Sequence, residues 1–116
     1  MTDFHVDVIK SADYAVLRSH GYINNLGGEK IAEECYRMMD QSINRFIVNL
    51  DGSKVVNSIG ISILIEIIEK VMEKQGRLAF SNLTPTIAKT FRIMGLLQYA
   101  ELFEDESAAA RIFQTG

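Results

Sequence analysis

Proline is almost missing from this chain: among 116 residues the only one is Pro85, and there is no repeat, low-complexity tract or linker. Cysteine is as scarce. Cys35 stands alone, which excludes an internal disulfide and makes a reducing cytoplasm the expected compartment. Long apolar runs are lacking too. The longest, Ile59 to Ile65, is far shorter than a bilayer span and carries Gly60 and Ser62, so membrane insertion is not expected. Positive charge is not concentrated anywhere. Lys and Arg are scattered singly in a chain of net charge -3, which argues against nucleic acid or an acidic membrane as partner. The opening "MTDFHVDVIK" has no basic-then-apolar signal pattern and reads as a strand. What remains is 47% hydrophobic and 23% charged, the balance of a globular domain long enough to bury a core.

Periodicity organises that material. Phe4, Val6 and Val8 alternate with His5, Asp7 and Ile9, a half-buried strand; "SAD" (11–13) turns the chain into a second strand over Tyr14 to Ile23. Gly27 and Gly28 are expected to break the chain before a helix in which Ile31, Cys35, Met38, Met39 and Ser42 share a face. "RFIVNL" (45–50) reads as a buried parallel strand, followed by a helix from Ser58 to about Gln75 that Gly76 ends. "RLAFSNL" (77–83) is a further strand. Thr84 and Pro85 then start a helix that Gly95 stops. "AELFE" (100–104) and an acidic-started helix from Asp105 to Phe113 complete a ββαβαβαβα order. Such alternation predicts an α/β fold with a mainly parallel sheet and an antiparallel edge.

The helix from Ser58 is apolar on two sides. Ile61, Leu64, Ile65, Ile68 and Met72 fall on the face expected to pack on the sheet, and Ile59, Ile63 and Ile67 fall opposite. Neighbouring helices are expected to cover Ile67, while Ile59 stays at the surface. At the mouth, Ser58 is placed to cap, and the N–H groups of Ile59, Gly60 and Ile61 are expected to point outward with the positive end of the dipole. Gly60 would admit another backbone or an anion at the carboxyl end of a strand, where open α/β sheets place ligands.

Catalytic and metal chemistry find little support. Ser58, His5 or His20, and Asp7 or Asp51 supply triad residue types, but without nucleophile-elbow spacing and with no carboxylate placed beside either histidine. No catalytic residue is therefore expected. Two isolated histidines and one cysteine give no metal-ligand cluster, and Cys35 reads as a buried structural thiol. Glu33-Glu34 and Glu104 to Glu106 read as solvated helix charge or first-turn dipole partners, and Gly27-Gly28 lacks the Lys-Ser/Thr of a phosphate loop. No cofactor is expected.

Three segments in order, "GYIN" (21–24), "FIVNLDGSKVVNSIGISILIEI" (46–67) and "NLTPTIAKTFRIMGLLQYAELFEDESAA" (82–109), resemble the STAS domain, the fold of bacterial anti-sigma factor antagonists and of a domain in sulphate transporters. The resemblance covers nearly the whole chain. It implies a single STAS-like domain over 1–116, with a mixed, mainly parallel sheet of about five strands and about four helices. In such antagonists the residue just before the glycine of the helix start is phosphorylated by a partner kinase, and the unphosphorylated form sequesters that kinase. Here Ile59 holds that position, and Asn24 and Asn57 match the family's two aspartates. Ser58 is one place off the usual target. It is the candidate phosphorylation position, although a cap role would turn its hydroxyl inward and make modification slow or absent.

The expected partner surface combines Asn24, Asn57, Ser58, Ile59, Ser62 and Ile63 with the Thr84–Pro85 turn. The partner the resemblance implies is an anti-sigma factor or related kinase-like protein, the chain being a monomer when free. The alternative is a subunit or scaffold that docks on a transporter ATPase or signalling complex.

Overall fold

Period-two alternation decides which side chains meet on each face of a sheet. A computed structural model describes residues 4–115. In it β1 (His5–Lys10) pairs antiparallel with β2 (Ala15–His20), and β3 (Arg45–Gly52), β4 (Arg77–Ser81) and β5 (Glu101–Phe103) follow in parallel. They form one five-stranded sheet in the order β1-β2-β3-β4-β5. The helices are α1 (Asn25–Met39), α2 (Ser58–Glu73), α3 (Pro85–Ile93) and α4 (Glu106–Thr115), with a single 3-10 turn at Leu96–Gln98. This is the order and the mixed sheet expected from the sequence. No helix among the described residues is long and apolar enough to cross a membrane.

The alternation builds a core on each side. Leu17, Phe46, Val48, Leu78 and Phe80 point into the larger core, where residues of α1, α2 and α3 meet them. Their neighbours Val16, Ile47 and Ala79 point the other way and pack on Ala109 and Phe113 of α4. Strand order advances in one direction from β2 to β5, so right-handed crossovers put α1, α2 and α3 on the same face. The carboxyl ends of the four parallel strands, and the loops that follow them, consequently share one edge.

Within α2 the buried arc is formed by Gly60, Ile61, Leu64, Ile67, Ile68 and Val71. Ile61, Leu64 and Ile68 are buried as expected, and Ile67 is fully enclosed. Ile63 is half-buried and lies over Gly28 of α1, where a Cβ would come within 3.0 Å of it. Thus α1 covers the second apolar side of α2. Two expectations need correction. Ile65 is only half-buried and Met72 is 47% exposed, because both lie at the edge of this arc rather than inside it. The left-handed residue that closes α2 is Gln75 (φ 60°) rather than Gly76.

All four helix starts use one device, a side-chain oxygen accepting from the N–H three residues on. Asn24 Oδ1 accepts from Gly27 N at 3.0 Å, Asn57 Oδ1 from Gly60 N at 2.8 Å, Thr84 Oγ1 from Ile87 N at 3.2 Å and Asp105 Oδ1 from Ala108 N at 2.9 Å. The cap of α2 is therefore Asn57, and Ser58 is the first helical residue. Gly27 and Gly28 do not break the chain before α1; they lie in its first turn, because Asn24 has already started the helix. Ser42 lies beyond α1 in a left-handed conformation (φ 68°), so it does not continue the helical face.

The first turn of α4 is tied to the sheet by charge. Arg18 Nε and Nη2 donate to the two carboxylate oxygens of Glu106 at 2.8 and 2.9 Å, and Asn49 Nδ2 donates at 2.5 Å. Glu106 is thus bound rather than a solvated charge. The hydrogen bond from Arg18 holds its carboxyl below the ordinary value, against an opposing effect of burial.

Leu64→Ala is expected to cost about 2–5 kcal/mol, read as a lower denaturant midpoint. Asn57→Ala should cost about 1 kcal/mol, whereas Ser58→Ala should stay within about 0.5 kcal/mol; equal losses would return the cap to Ser58. The pH dependence follows from the lowered Glu106 carboxyl. Its contribution is complete above an unfolded carboxylate value of about 4.3 and is lost as pH falls through the lower folded value. Denaturant midpoints measured down to about pH 3 should show this acid limb, and Glu106→Gln should flatten it.

Candidate functional site

Beyond the end of β2 the chain makes one more pairing with the segment after β3. Ile23 and Val56 form an isolated parallel bridge, in which Ile23 N donates to Val55 O at 3.0 Å and Asn57 N to Ile23 O at 3.1 Å. Ile23 is fully buried at this point. The next residue on each segment is the capping asparagine. The bridge therefore sets the starts of α1 and α2 side by side, with Asn24 and Asn57 as neighbouring caps. Gly60 is needed because the Ile23 carbonyl lies on it: a Cβ there would stand 2.2 Å from that oxygen. Of the two approaches Gly60 could admit, a backbone is the one that occupies it.

The mouth is less open than the sequence suggests. Gly60 N donates to Asn57 Oδ1 and Ile61 N donates to Asn57 O at 2.9 Å, so neither is left pointing outward unpaired. Ser58 is exposed, and its hydroxyl has no hydrogen-bond partner among the described residues; its carbonyl accepts from Ser62 Oγ at 3.0 Å. The inward-turned hydroxyl expected of Ser58 is thus overturned, since Asn57 takes the cap. Ile59 is 55% exposed beside it, and Ser62 is exposed one turn on.

Asn24, Asn57, Ser58, Ile59 and Ser62 therefore share one surface, and Ile63 lies beneath it against α1. Thr84 and Pro85 start α3 at the same edge of the sheet, after β4, but the bridge that joins the other two loops does not include them. Sequence reading missed three exposed apolar residues here: Tyr22, Leu26 and Val55. A signal for them existed. "YINNL" (22–26) and "VVNSI" (55–59) share one pattern: an exposed apolar residue, a bridging aliphatic, the cap asparagine, a polar residue and a second exposed apolar residue. The result is two exposed apolar residues close in sequence to each uncharged cap: Tyr22 and Leu26 by Asn24, Val55 and Ile59 by Asn57. Such a surface can bind a partner through apolar contact and backbone polarity, without a charge of its own.

On the opposite face of the same edge, an open cleft of about 400 Å³ runs between Arg18, His20, Asn49, Asp51, Asn82 and Glu106. Next to it the two histidines are not isolated. The antiparallel register puts His5 opposite His20. Asp7, on the same face of β1, has a carboxylate oxygen 3.3 Å from His20 Nε2, so the expectation of no nearby carboxylate and no ligand cluster is corrected. Alternation along a single strand could not reveal that pairing. Cys35 is fully buried, and burial pushes its thiol up, as befits a structural residue.

The comparisons agree with this architecture. Residues 5–109 match the family model described as the STAS domain. A protein from Bordetella bronchiseptica, BtrV, named as a candidate anti-sigma factor antagonist, is 24% identical over 95 residues, or 82% of each chain. The crystal structure of an anti-sigma factor antagonist from Mycobacterium paratuberculosis superposes with a TM-score of 0.83 at 16% identity, covering 97% of this chain and 95% of that one. The Bacillus cell fate determinant SpoIIAA in its phosphorylated form superposes with a TM-score of 0.71 at 21% identity, over 95% and 99% of the two chains. The two structures share the fold, and with the family match across most of its length, the chain belongs to the STAS domain family.

Proposed function

We propose that the chain is a signalling protein of the anti-sigma factor antagonist kind, which captures a regulatory partner through the paired mouths of α1 and α2. The observation that carries this reading is Ile59. It is an exposed apolar residue at the position where the resemblance to antagonists implies a phosphorylated hydroxyl. Binding rather than catalysis suits the surface, because Ser58 has no base within hydrogen-bonding reach among the described residues. The partner is an anti-sigma factor or a related kinase-like protein.

Position 59 cannot carry phosphate, so capture does not switch there. A phosphate brings close to two negative charges, which would repel or be poorly solvated inside an apolar interface. Isoleucine keeps this exposed position permanently apolar. Ser58 is the remaining hydroxyl beside it. Its exposure means that geometry does not shield it, and a phosphate at a helix start would be tolerated electrostatically. We assign the main control to the abundance of the protein or to its partner, with position 59 silent.

Capture from a lysate of the native cell should recover an anti-sigma factor or kinase-like protein. Ile59→Asp should reduce that capture by about 100-fold or more while leaving the circular dichroism unchanged, since it places an unpaired charge in the interface. Recovery of a transporter ATPase instead, or capture indifferent to Ile59→Asp, would move the assignment elsewhere. Ile59→Ser should gain phosphate from the captured kinase, read by intact mass; a stoichiometric phosphate on Ser58 of the native protein would instead move control to that exposed hydroxyl.

A further inference from the structure

The first hairpin brings together three side chains that the partner-binding reading does not use. His5 and His20 are direct cross-strand partners, and Asp7 projects from the same face of β1 two residues further on. Their ligand atoms all lie within 4.8 Å of one another. Asp7 Oδ2 is 3.3 Å from His20 Nε2 and 4.0 Å from His5 Nε2. The two imidazoles are stacked, with centroids 4.4 Å apart and planes 13° from parallel.

Three features set this group apart from a chance surface cluster. His20 Nε2 is buried and makes no hydrogen bond, although Asp7 Oδ2 stands 3.3 Å from it. A buried ring nitrogen left unpaired is costly, so a ligand that engages it gains stability. Gly52 makes room for the ring, since a Cβ there would stand 2.5 Å from His20 Nδ1. Finally, Arg18, the cross-strand partner of Asp7, gives its Nε and Nη2 hydrogen bonds to Glu106 and acts on Asp7 only through its charge. Among the described residues, the ion-pair contacts of the Asp7 carboxylate within 4.0 Å are the two imidazoles.

From these observations we propose that His5, Asp7 and His20 form a binding site for a divalent first-row transition metal, with zinc the best fit. Imidazole nitrogen and carboxylate oxygen bind zinc at about 2.0–2.2 Å, so tetrahedral neighbours stand roughly 3.3–3.5 Å apart. The His20–Asp7 pair already has that separation. His5 closes the remainder by rotating its side chain, which is 60% exposed, and the rings tilt from parallel so that their lone pairs converge. Two imidazoles with one carboxylate suit zinc, copper or nickel and not magnesium or calcium, which prefer oxygen ligands throughout. Three protein ligands leave a fourth position for water or for a side chain of another molecule. Cys35 cannot compete, because it is buried in the core.

The test is calorimetric titration of the full chain, free of any histidine tag, with zinc chloride in a non-chelating buffer. One ion per chain should bind with sub-millimolar affinity. His5→Gln, Asp7→Asn and His20→Gln should each weaken binding by at least about tenfold, the loss that even outer partners of a metal-bound imidazole produce. Cys35→Ser should leave it unchanged, and magnesium chloride should bind far more weakly. On the unmodified protein, zinc should shift the ring resonances of His5 and His20 together in NMR spectra, a readout that does not depend on a variant folding. Absence of zinc binding would overturn the site. So would binding that survives in His20→Gln, equal binding of magnesium, or independent shifts of the two rings.

Discussion

The carbonyl of Ile23 lying against the bare Cα of Gly60 fixes the geometry of the whole loop edge. Because that contact is backbone on backbone, α2 starts at a defined distance from the segment that leads into α1. The bridge between Ile23 and Val56 then sets the register, and the two asparagine caps fall into place one residue later. A Cβ at position 60 would push against an oxygen that is already bonded to Asn57 N, so relief would have to come from moving a helix. Farther along, Gly28 repeats the arrangement with a side chain in place of a carbonyl, receiving Ile63. The pairing of α1 with α2 thus rests on two missing methyl groups, one on each helix.

The two faces of the sheet are held by different forces. On the α1–α3 side the helix starts are capped by neutral Asn24, Asn57 and Thr84, and the contacts below are aliphatic and aromatic. On the α4 side the helix begins at Asp105 and is anchored by the ion pair of Arg18 with Glu106. Salt and acid act on the second set and hardly on the first. Tyr22, Leu26, Val55 and Ile59 stand beside the neutral caps of the first set.

Much of the fold was legible because its signals are local. Alternation in "HVDVIK", the Thr84–Pro85 start and the Gly95 stop each depend on a few adjacent residues, and each is realised as read. The errors come from relations between distant residues. Ser58 is a good cap in isolation, but Asn57 lies where the bridge delivers the chain, so the asparagine takes the role. Gly27 and Gly28 resemble breakers by composition, whereas their purpose is close packing beneath Phe4 and Ile63. His5, Asp7 and His20 read as isolated because cross-strand register is not written in either strand alone. For the candidate surface, the residues of the α2 mouth were visible from their sequence, while Tyr22, Leu26 and Val55 needed the repeated pattern around two asparagines to be noticed.

The outermost strands limit how other molecules can approach. β5 has only three residues, and β1 carries His5, Asp7 and Lys10 along its free border. Short length and outward charge both make a strand border a poor template for a further strand. An extended peptide therefore gains few backbone hydrogen bonds by lengthening this sheet. An unfolded segment searching for a strand to join finds little to hold at either border of the sheet.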